Sequence, residues 1–552
     1  MRDPLAHVGT RNQPVTVKTR ADQVLNNTGG YTFAVEPVAQ LRRFLLLGTD
    51  GGTFHVGERE LTLENSAVVV QFAQTRPLDL VREVVDVSVN GRAPKANPCL
   101  FALAAAFGLA DLEGRQAAER ALPQVVRTGT HRAIFARYVE QFRGWGKLLR
   151  RAVGNLFLEP TIDDLEYSCV KYRQREGWTN RDLLRLSHPV PAVDDVRRRV
   201  LFDWICGRDV DSVQLAELPR VAAFEELKRR DADGSLTDAV VTRLITEARL
   251  PWEVLPDSVM NRPTTWEALL DANQLPLGAL IRQLPRLTRL GMLNQVGPDT
   301  MLTRVVGRLG DRESLRRARV HPLNLLVAQR TYGLGRNQPP LDAYGRAMHH
   351  VRPTSTWTPV RQVVDALDQA FYLAFENVEP TNARFMLAVD CSGSMSTARI
   401  AKLPLSPREV SAALSLVSAS VEPHSTIMGF SSDMRPLAIS PRQRLNDVIT
   451  TMTRFPWQAT RCAAPMEYAL RHRLTYDAFV IYTDNEVNVG PHPYQALRRY
   501  RDALGVNAKL IVVAMTATNF TIADPSDVNT LDVCGFDTGT PALISDFTRV
   551  GI

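Results

Sequence analysis

The grammar of the chain changes at Pro380. Before it, short amphipathic stretches of helical period follow one another, each stopped by Pro, Gly or Asn and then restarted. Glu113–Val126, Arg132–Val153, Thr265–Asn273 and Leu275–Leu284 are examples. Such helices bury one face only by stacking on their neighbours, as helical repeats do. No fixed sequence period accompanies them, so a HEAT-like array is expected from pattern rather than from a consensus. After Pro380 come short apolar runs, Phe385–Val389, Thr426–Phe430, Ala478–Thr483 and Leu510–Met515, with helical stretches between them. Runs of this kind predict a mainly parallel, Rossmann-like sheet covered on both faces. The first helix of this part carries a capping box, with Ser406 as N-cap, Pro407 next and Glu409 at the third position. The expected fold is multidomain. A flexible polar segment occupies 1–20, an all-α array of helical repeats 21–375, and an α/β domain 380–552. A Gly/Pro/Arg-rich connection from Gly333 to Pro359 precedes the last helix of the array, Val360–Phe375.

Several classes of protein are excluded early. The longest apolar run, Pro98 to Ala110, is too short for a membrane span, which needs about 20 residues. Met1–Arg20 has no apolar core, so no secretory signal is expected. The six cysteines form no Cys-x-x-Cys pair, which argues against a zinc cage or disulfide framework and for a reduced, cytoplasmic protein. The net charge is +7, of which +1 falls in 380–552. The rest clusters. Between Arg115 and Arg151 nine basic residues, Arg127, Arg132 and Arg137 among them, face only Glu119 and Glu140. A solvated helix face normally mixes signs, so this excess predicts an anion-binding surface, with nucleic acid the commonest large anion. Of the 66 basic residues only seven are lysines, and arginine contacts phosphate bidentately and stacks on bases.

The most specific motif is Asp390-Cys391-Ser392-Gly393-Ser394, directly after a buried strand. The carboxyl edge of a parallel sheet is the usual binding crevice. One carboxylate and two hydroxyls there suit a hard divalent cation, Mg²⁺ or Mn²⁺. A second carboxylate, Asp484, follows another strand in Thr483-Asp484-Asn485, and Thr460 in the intervening region can add a third hydroxyl. These residues resemble the von Willebrand factor A fold with its metal-ion-dependent adhesion site. That resemblance implies that Asp390, Ser392, Ser394, Thr460 and Asp484 surround one metal, in a domain that is usually a binding module rather than a catalyst.

A longer set of segments extends the likeness. It comprises Asn26-Asn27-Thr28-Gly29-Gly30-Tyr31, Leu41–Leu45, Gly48–Thr53, Lys171–Trp178, Asp182–His188, Phe520–Pro525 and Leu531–Asp537. In order and extent the chain resembles the Ro autoantigen family, a TROVE module followed by a von Willebrand A domain, and its arginine-rich composition is similar to that of bacterial members. The resemblance implies a monomeric ring of helical repeats closed with the help of the A domain. It implies Y RNA on the outer surface, single-stranded 3′ ends of misfolded noncoding RNA in the central hole, and a role in RNA maturation or decay alongside an exoribonuclease. One departure stands out. The family typically carries Gly-Gly-Thr-Asp-Cys around the metal-site threonine, where this chain has Gln458-Ala459-Thr460-Arg461-Cys462. A cation there bears directly on metal affinity.

Lys171, Arg175 and His188 match the Ro residues that contact Y RNA. Lys171 and Arg175 are four apart, so on one helix they would share a face, and Pro189 predicts a helix end at His188. Two cations and an imidazole suit phosphate contact. Trp145, Tyr172 and Trp178, interleaved with the basic residues, could stack unpaired bases, though large aromatics in repeat helices are mostly core. Single-stranded 3′ ends are expected to use the Arg127–Arg132–Arg137 helices as a surface distinct from the Lys171 patch. Two other functions compete: a metal-dependent protein-interaction module, and a metal-dependent RNA hydrolase. Against the hydrolase, and for a non-enzyme, the sequence has no second carboxylate cluster, P-loop, His-Glu-x-x-His or Gly-x-Ser-x-Gly.

Overall fold

The computed structural model describes residues 13–47, 66–336 (apart from 94, 143, 295–296 and 319), 355–374, 380–397, 405–534 (apart from 441–442, 455–458 and 517) and 540–550. Gly48–Thr53, Arg143, Gln458, Gly535–Asp537 and most of the Gly333–Pro359 connection lie outside the described residues.

The first part is an array of helices running from Pro37–Leu47 to Arg361–Leu373. Their stripes explain the stacking. In the helix Leu277–Arg289, Leu277, Leu280, Ile281, Leu284 and Leu287 are buried at helical spacing. The helix Asn97–Leu109 is apolar all round and is buried from Pro98 to Phe107. The amphipathic stretch Arg132–Val153 spans two helices, Gly129–Phe142 and Lys147–Leu158. Gly144 and Gly146 divide them, since glycine carries the largest entropic penalty against a continued helix. At Gly129 an added Cβ would stand 2.4 Å from Tyr172, so helix Gly129–Phe142 can approach that ring only because the position has no side chain.

Four strands interrupt the array where helix alone was expected. β1 (Gln23–Leu25) and β2 (Tyr31–Ala34) form an antiparallel hairpin, and β3 (Gln174–Arg175) pairs with β4 (Trp178–Thr179) in another.

The second part holds β5 (Phe385–Asp390), β6 (Ser425–Phe430), β7 (Met434–Pro436), β8 (Ala478–Thr483), β9 (Lys509–Ala514), β10 (Phe520–Thr521) and β11 (Thr530–Cys534). Six of them make one sheet in the order β11-β9-β8-β5-β6-β7, parallel except for β7. Side chains alternate between two cores. Phe385, Leu387 and Val389 join the large core shared with the helical array, while Met386 and Ala388 join a second core on the other face. The capping box forms as predicted: Ser406 accepts from the Glu409 amide and Glu409 reaches back to the Ser406 backbone.

The two parts are joined at both ends of the array. β10 pairs antiparallel with β2, with Phe520 opposite Ala34. Arg43, 1% exposed, donates to the carbonyls of Thr518 and Phe520 and pairs bidentately with Asp532 at 2.6 and 2.7 Å. Arg330, near the far end of the array, pairs with Glu409. The expectation of a flexible segment over 1–20 fails for residues 13–20. Val15 is fully buried in the second core, and its amide donates to Gly490. Polar composition hid this one apolar anchor.

Candidate metal centre and nucleic-acid face

Asp390 ends β5, and Asp484 directly follows β8. The chain leaves β5 toward β6 on one side and later returns to β8 on the other, so the two carboxylates flank the switch point of the sheet. Asp390, Ser392, Ser394, Thr460 and Asp484 are all buried, at 5% exposure or less. The Ser392 amide donates to Asp390 at 2.9 Å, and the Ser392 and Ser394 hydroxyls lie 3.1 Å apart. Thr460 is tied to the loop after Asp484: its amide donates to Asn488 Oδ1 at 3.0 Å and its carbonyl accepts from the Asn488 amide.

Burial, and then the facing Asp390 carboxylate, push Asp484 up to about 8. Burial also raises Asp390, against the Ser392 and Thr483 hydrogen bonds and the Arg408 charge. Asp484 Oδ2 is buried with no hydrogen-bond partner. Two facing carboxylates, one with an orphaned oxygen, beside three hydroxyls make an oxygen donor set that fits a hard divalent cation.

Several supporting residues escaped the sequence reading. The Thr483 hydroxyl donates to Asp390 at 2.6 Å. Arg408, 1% exposed, donates to the carbonyls of Cys391 and Ser392 and so holds the Asp390 loop from behind. The helical part contributes too. Asn26 Nδ2 donates to the Val487 carbonyl at 2.7 Å and Asn27 Nδ2 to Glu486 at 2.7 Å, both in the loop after Asp484. At Gly30 an added Cβ would lie 2.0 Å from the Val487 carbonyl. The segment Asn26–Tyr31 is shaped to seat on this loop, a contact that no local pattern announces.

The basic face differs from its expected form. The helix Ile162–Lys171 stops at Lys171, and Arg175 lies on β3, so the two do not share a helix face. Glu176 and Gly177, with φ of 52° and 83°, turn the chain back into β4, the paired positive φ of a tight hairpin. Arg175 is exposed. The Lys171 side chain is 9% exposed, 3.1 Å from Glu253, and lies over the Tyr167 and Tyr172 rings. Burial pulls its ammonium down, but Tyr172, Tyr167 and Glu253 together hold it above the ordinary value. His188 is exposed and caps the helix Asn180–Ser187 in the left-handed conformation, at the end Pro189 predicts.

The three arginines of the basic excess do not make one separate surface. Arg132 is 5% exposed, donates to Ser168 at 2.7 Å and lies over the Phe157 ring. Arg137 pairs with Glu176 of the hairpin turn at 2.5 Å. Arg127 is exposed and donates to Ser88 and Gln124. Positive residues at irregular spacing say nothing about which face each takes, and two of these three hold the Lys171–Arg175 region itself. Trp145 and Trp178 pack on each other at 5.8 Å as part of that framework.

Residues 24–231 and 241–338 match the TROVE domain, and residues 384–548 match the Ro60 vWA domain. RNA-binding protein RO60 of Deinococcus radiodurans is 38% identical over 553 residues, covering 100% of this chain and 99% of that one. The chain belongs to the Ro60 family. A Caenorhabditis elegans relative, also named RNA-binding protein RO60, is 31% identical across 96% of this chain and 90% of its own length. The crystal structure of the Deinococcus radiodurans RO (RSR) protein matches with a TM-score of 0.68 and 37% identity, over 94% of this chain and 100% of that one. Within this Ro60-family chain the unusual Arg461 is accommodated locally. Its guanidinium pairs with Glu467 at 2.8 Å, and its stem lies against Gly490. No helix among the described residues is long and apolar enough to cross a membrane.

Proposed function

We propose that this protein binds structured noncoding RNA of the Y class along the face carrying Arg175 and His188, and holds single-stranded 3′ ends of misfolded RNA within a monomeric helical ring. It works in the cytoplasm in RNA quality control, maturation or decay, in company with an exoribonuclease. The observation that carries this reading is the 38% identity, over its whole length, to a protein named for RNA binding. Docking of both ends of the array on the A domain supports a closed ring. The relatives are named as binding proteins and not as enzymes.

Gel shifts with structured and single-stranded RNA, with and without EDTA, test the reading; no binding to either would overturn it. The two family-matched cations should separate. Arg175→Gln should lower the magnitude of the salt slope of binding by about 0.7–0.9, the value of one phosphate contact. Lys171→Met should leave the slope nearly unchanged and lower the unfolding midpoint instead, because it strands Glu253, whose Oε2 already lacks a partner. Equal slope changes for the two variants would return Lys171 to the RNA surface.

One Mg²⁺ or Mn²⁺ is held by Asp390, Ser392, Ser394, Thr460 and Asp484. Bound there, it supplies positive charge for the two carboxylates. Its uptake should release protons at pH 7, because Asp484 is raised to about 8 and a ligand must be deprotonated to bind. Affinity should therefore fall as pH drops below 8. Calorimetric heats independent of buffer ionisation enthalpy would contradict this. The adhesion reading has less support: the donors are 5% exposed or less, and Asn27 and Thr28 occupy the adjoining loop.

A further inference from the structure

The five residues Asp484–Asn488 touch candidate metal donors on one side and the helical array on the other. Asp484 Oδ1 accepts from the Glu486 amide at 3.1 Å, and Asn488 holds Thr460 through both its side chain and its backbone. Between these ends the loop grips the segment Asn26–Tyr31. Glu486, 1% exposed, accepts from the Asn27 amide at 3.1 Å and from Asn27 Nδ2 at 2.7 Å. Asn26 Nδ2 donates to the carbonyls of Asn485 and Val487. The loop has little slack with which to absorb movement. Asn485 is fully buried with φ of 65°, a left-handed conformation to which asparagine is better suited than most residues. Its Oδ1 accepts from the Ile522 amide at 3.0 Å. Ile522 directly follows β10, the strand that pairs with β2.

We propose that the metal centre acts within the chain: with a divalent cation at Asp484 and Thr460, the loop between them seats Asn26–Tyr31 more tightly and fastens the start of the array to the A domain. The inference rests on the metal-binding reading above and gives that site an internal partner. Asp484 and Thr460 stand at the two ends of the loop, Thr460 through Asn488. Converging on one ion, they fix both ends, and the residues left between, Asn485–Val487, are the ones that hold the array. Asp390, Asp484 and Glu486 also crowd three acids into a buried space. A cation among them offsets that crowding and leaves Glu486 its charge-assisted bonds to Asn27. Such coupling is reciprocal: the seated segment raises metal affinity by the factor by which metal favours seating.

The test uses the full-length protein, stripped with EDTA and then loaded with Mn²⁺, with hydrogen exchange followed by mass spectrometry. On loading, the amides of Leu25–Ala34 should exchange about tenfold more slowly, within the usual range of coupling between two sites. The slowing should exceed any in the helix Leu277–Arg289, and Asp390→Ala at the same Mn²⁺ concentration should show none. Gly30→Ala pushes the segment off the Val487 carbonyl, and Asn27→Ala removes the contact to Glu486; neither alters a metal donor. Both should weaken Mn²⁺ binding, Gly30→Ala by about tenfold. Mn²⁺ that binds the wild type yet leaves exchange at Leu25–Ala34 unchanged would overturn the clasp while leaving the metal site intact. So would wild-type Mn²⁺ affinity in both Asn27→Ala and Gly30→Ala. Failure of the wild type to bind Mn²⁺ at all would overturn the clasp and the metal site together.

Discussion

Arg43→Ala should destabilise the protein by about 3–5 kcal/mol, the cost of breaking a buried ion pair from one side. The Arg43 side chain is 1% exposed and its partner Asp532 15%. The substitution leaves Asp532 without its cation and removes the donor shared by the Thr518 and Phe520 carbonyls. All of these groups lie at the junction of the two parts, so the loss should appear first as opening of that junction. Trypsin should then reach Lys18 and Arg20 faster than in the wild type, in parallel with a lower urea midpoint. Replacing both partners, Arg43→Met with Asp532→Leu, should recover part of the loss, because no charge is left stranded. Recovery stays incomplete, since the Thr518 carbonyl loses its donor, at about 1–3 kcal/mol for a buried and unpaired group, while the Phe520 carbonyl keeps the Thr518 hydroxyl. A single variant with unchanged protease sensitivity would show that this arginine does not hold the parts together.

Asp390→Ala should weaken Mn²⁺ binding by more than about 100-fold, beyond what supporting residues around a metal usually contribute, while leaving the fold intact. The second half of that expectation is the diagnostic one. Without metal, Asp390 and Asp484 face each other in a buried site, and each raises the cost of ionising the other. Removing Asp390 relieves that repulsion but leaves the Ser392 amide and the Thr483 hydroxyl without their acceptor, so metal-free protein should lose only about 1–3 kcal/mol, the scale of stranded buried donors. Spin-resonance titration of free Mn²⁺ reads the first effect and thermal unfolding in EDTA the second. Unchanged Mn²⁺ affinity would remove the site from the proposed function. A large loss of stability in EDTA would make Asp390 a structural residue.

The sequence announces the carboxylates of the candidate metal centre more clearly than the layout of the basic face, and the reason is geometric. A carboxylate at the end of a buried parallel strand has one place to go, so Asp390 and Asp484 were legible from their position after apolar runs. The capping box at Ser406 was equally local. The basic face depends on where a helix stops and which way each arginine turns. Glu176-Gly177 was the available signal for a hairpin, and reading it would have separated Arg175 from Lys171. Nothing local marks Arg132 as buried, because its partners, Ser168 and Phe157, lie on other helices. The same holds for Asn26 and Asn27, whose partners lie more than 450 positions away.

Pairing between β2 and β10 sets a timetable for making this protein. The first hairpin leaves the ribosome early, but its remaining edge and Arg43 have no partner until β10 and Asp532 emerge, 475 to 489 residues later. At about 5–20 residues per second, that wait is roughly half a minute to a minute and a half. Throughout it the nascent chain carries an open strand edge and an unpaired arginine destined for burial, both targets for chaperones and for pairing with a neighbouring chain on the same message. Truncation before β10 therefore leaves the beginning of the protein unfinished as well as its end.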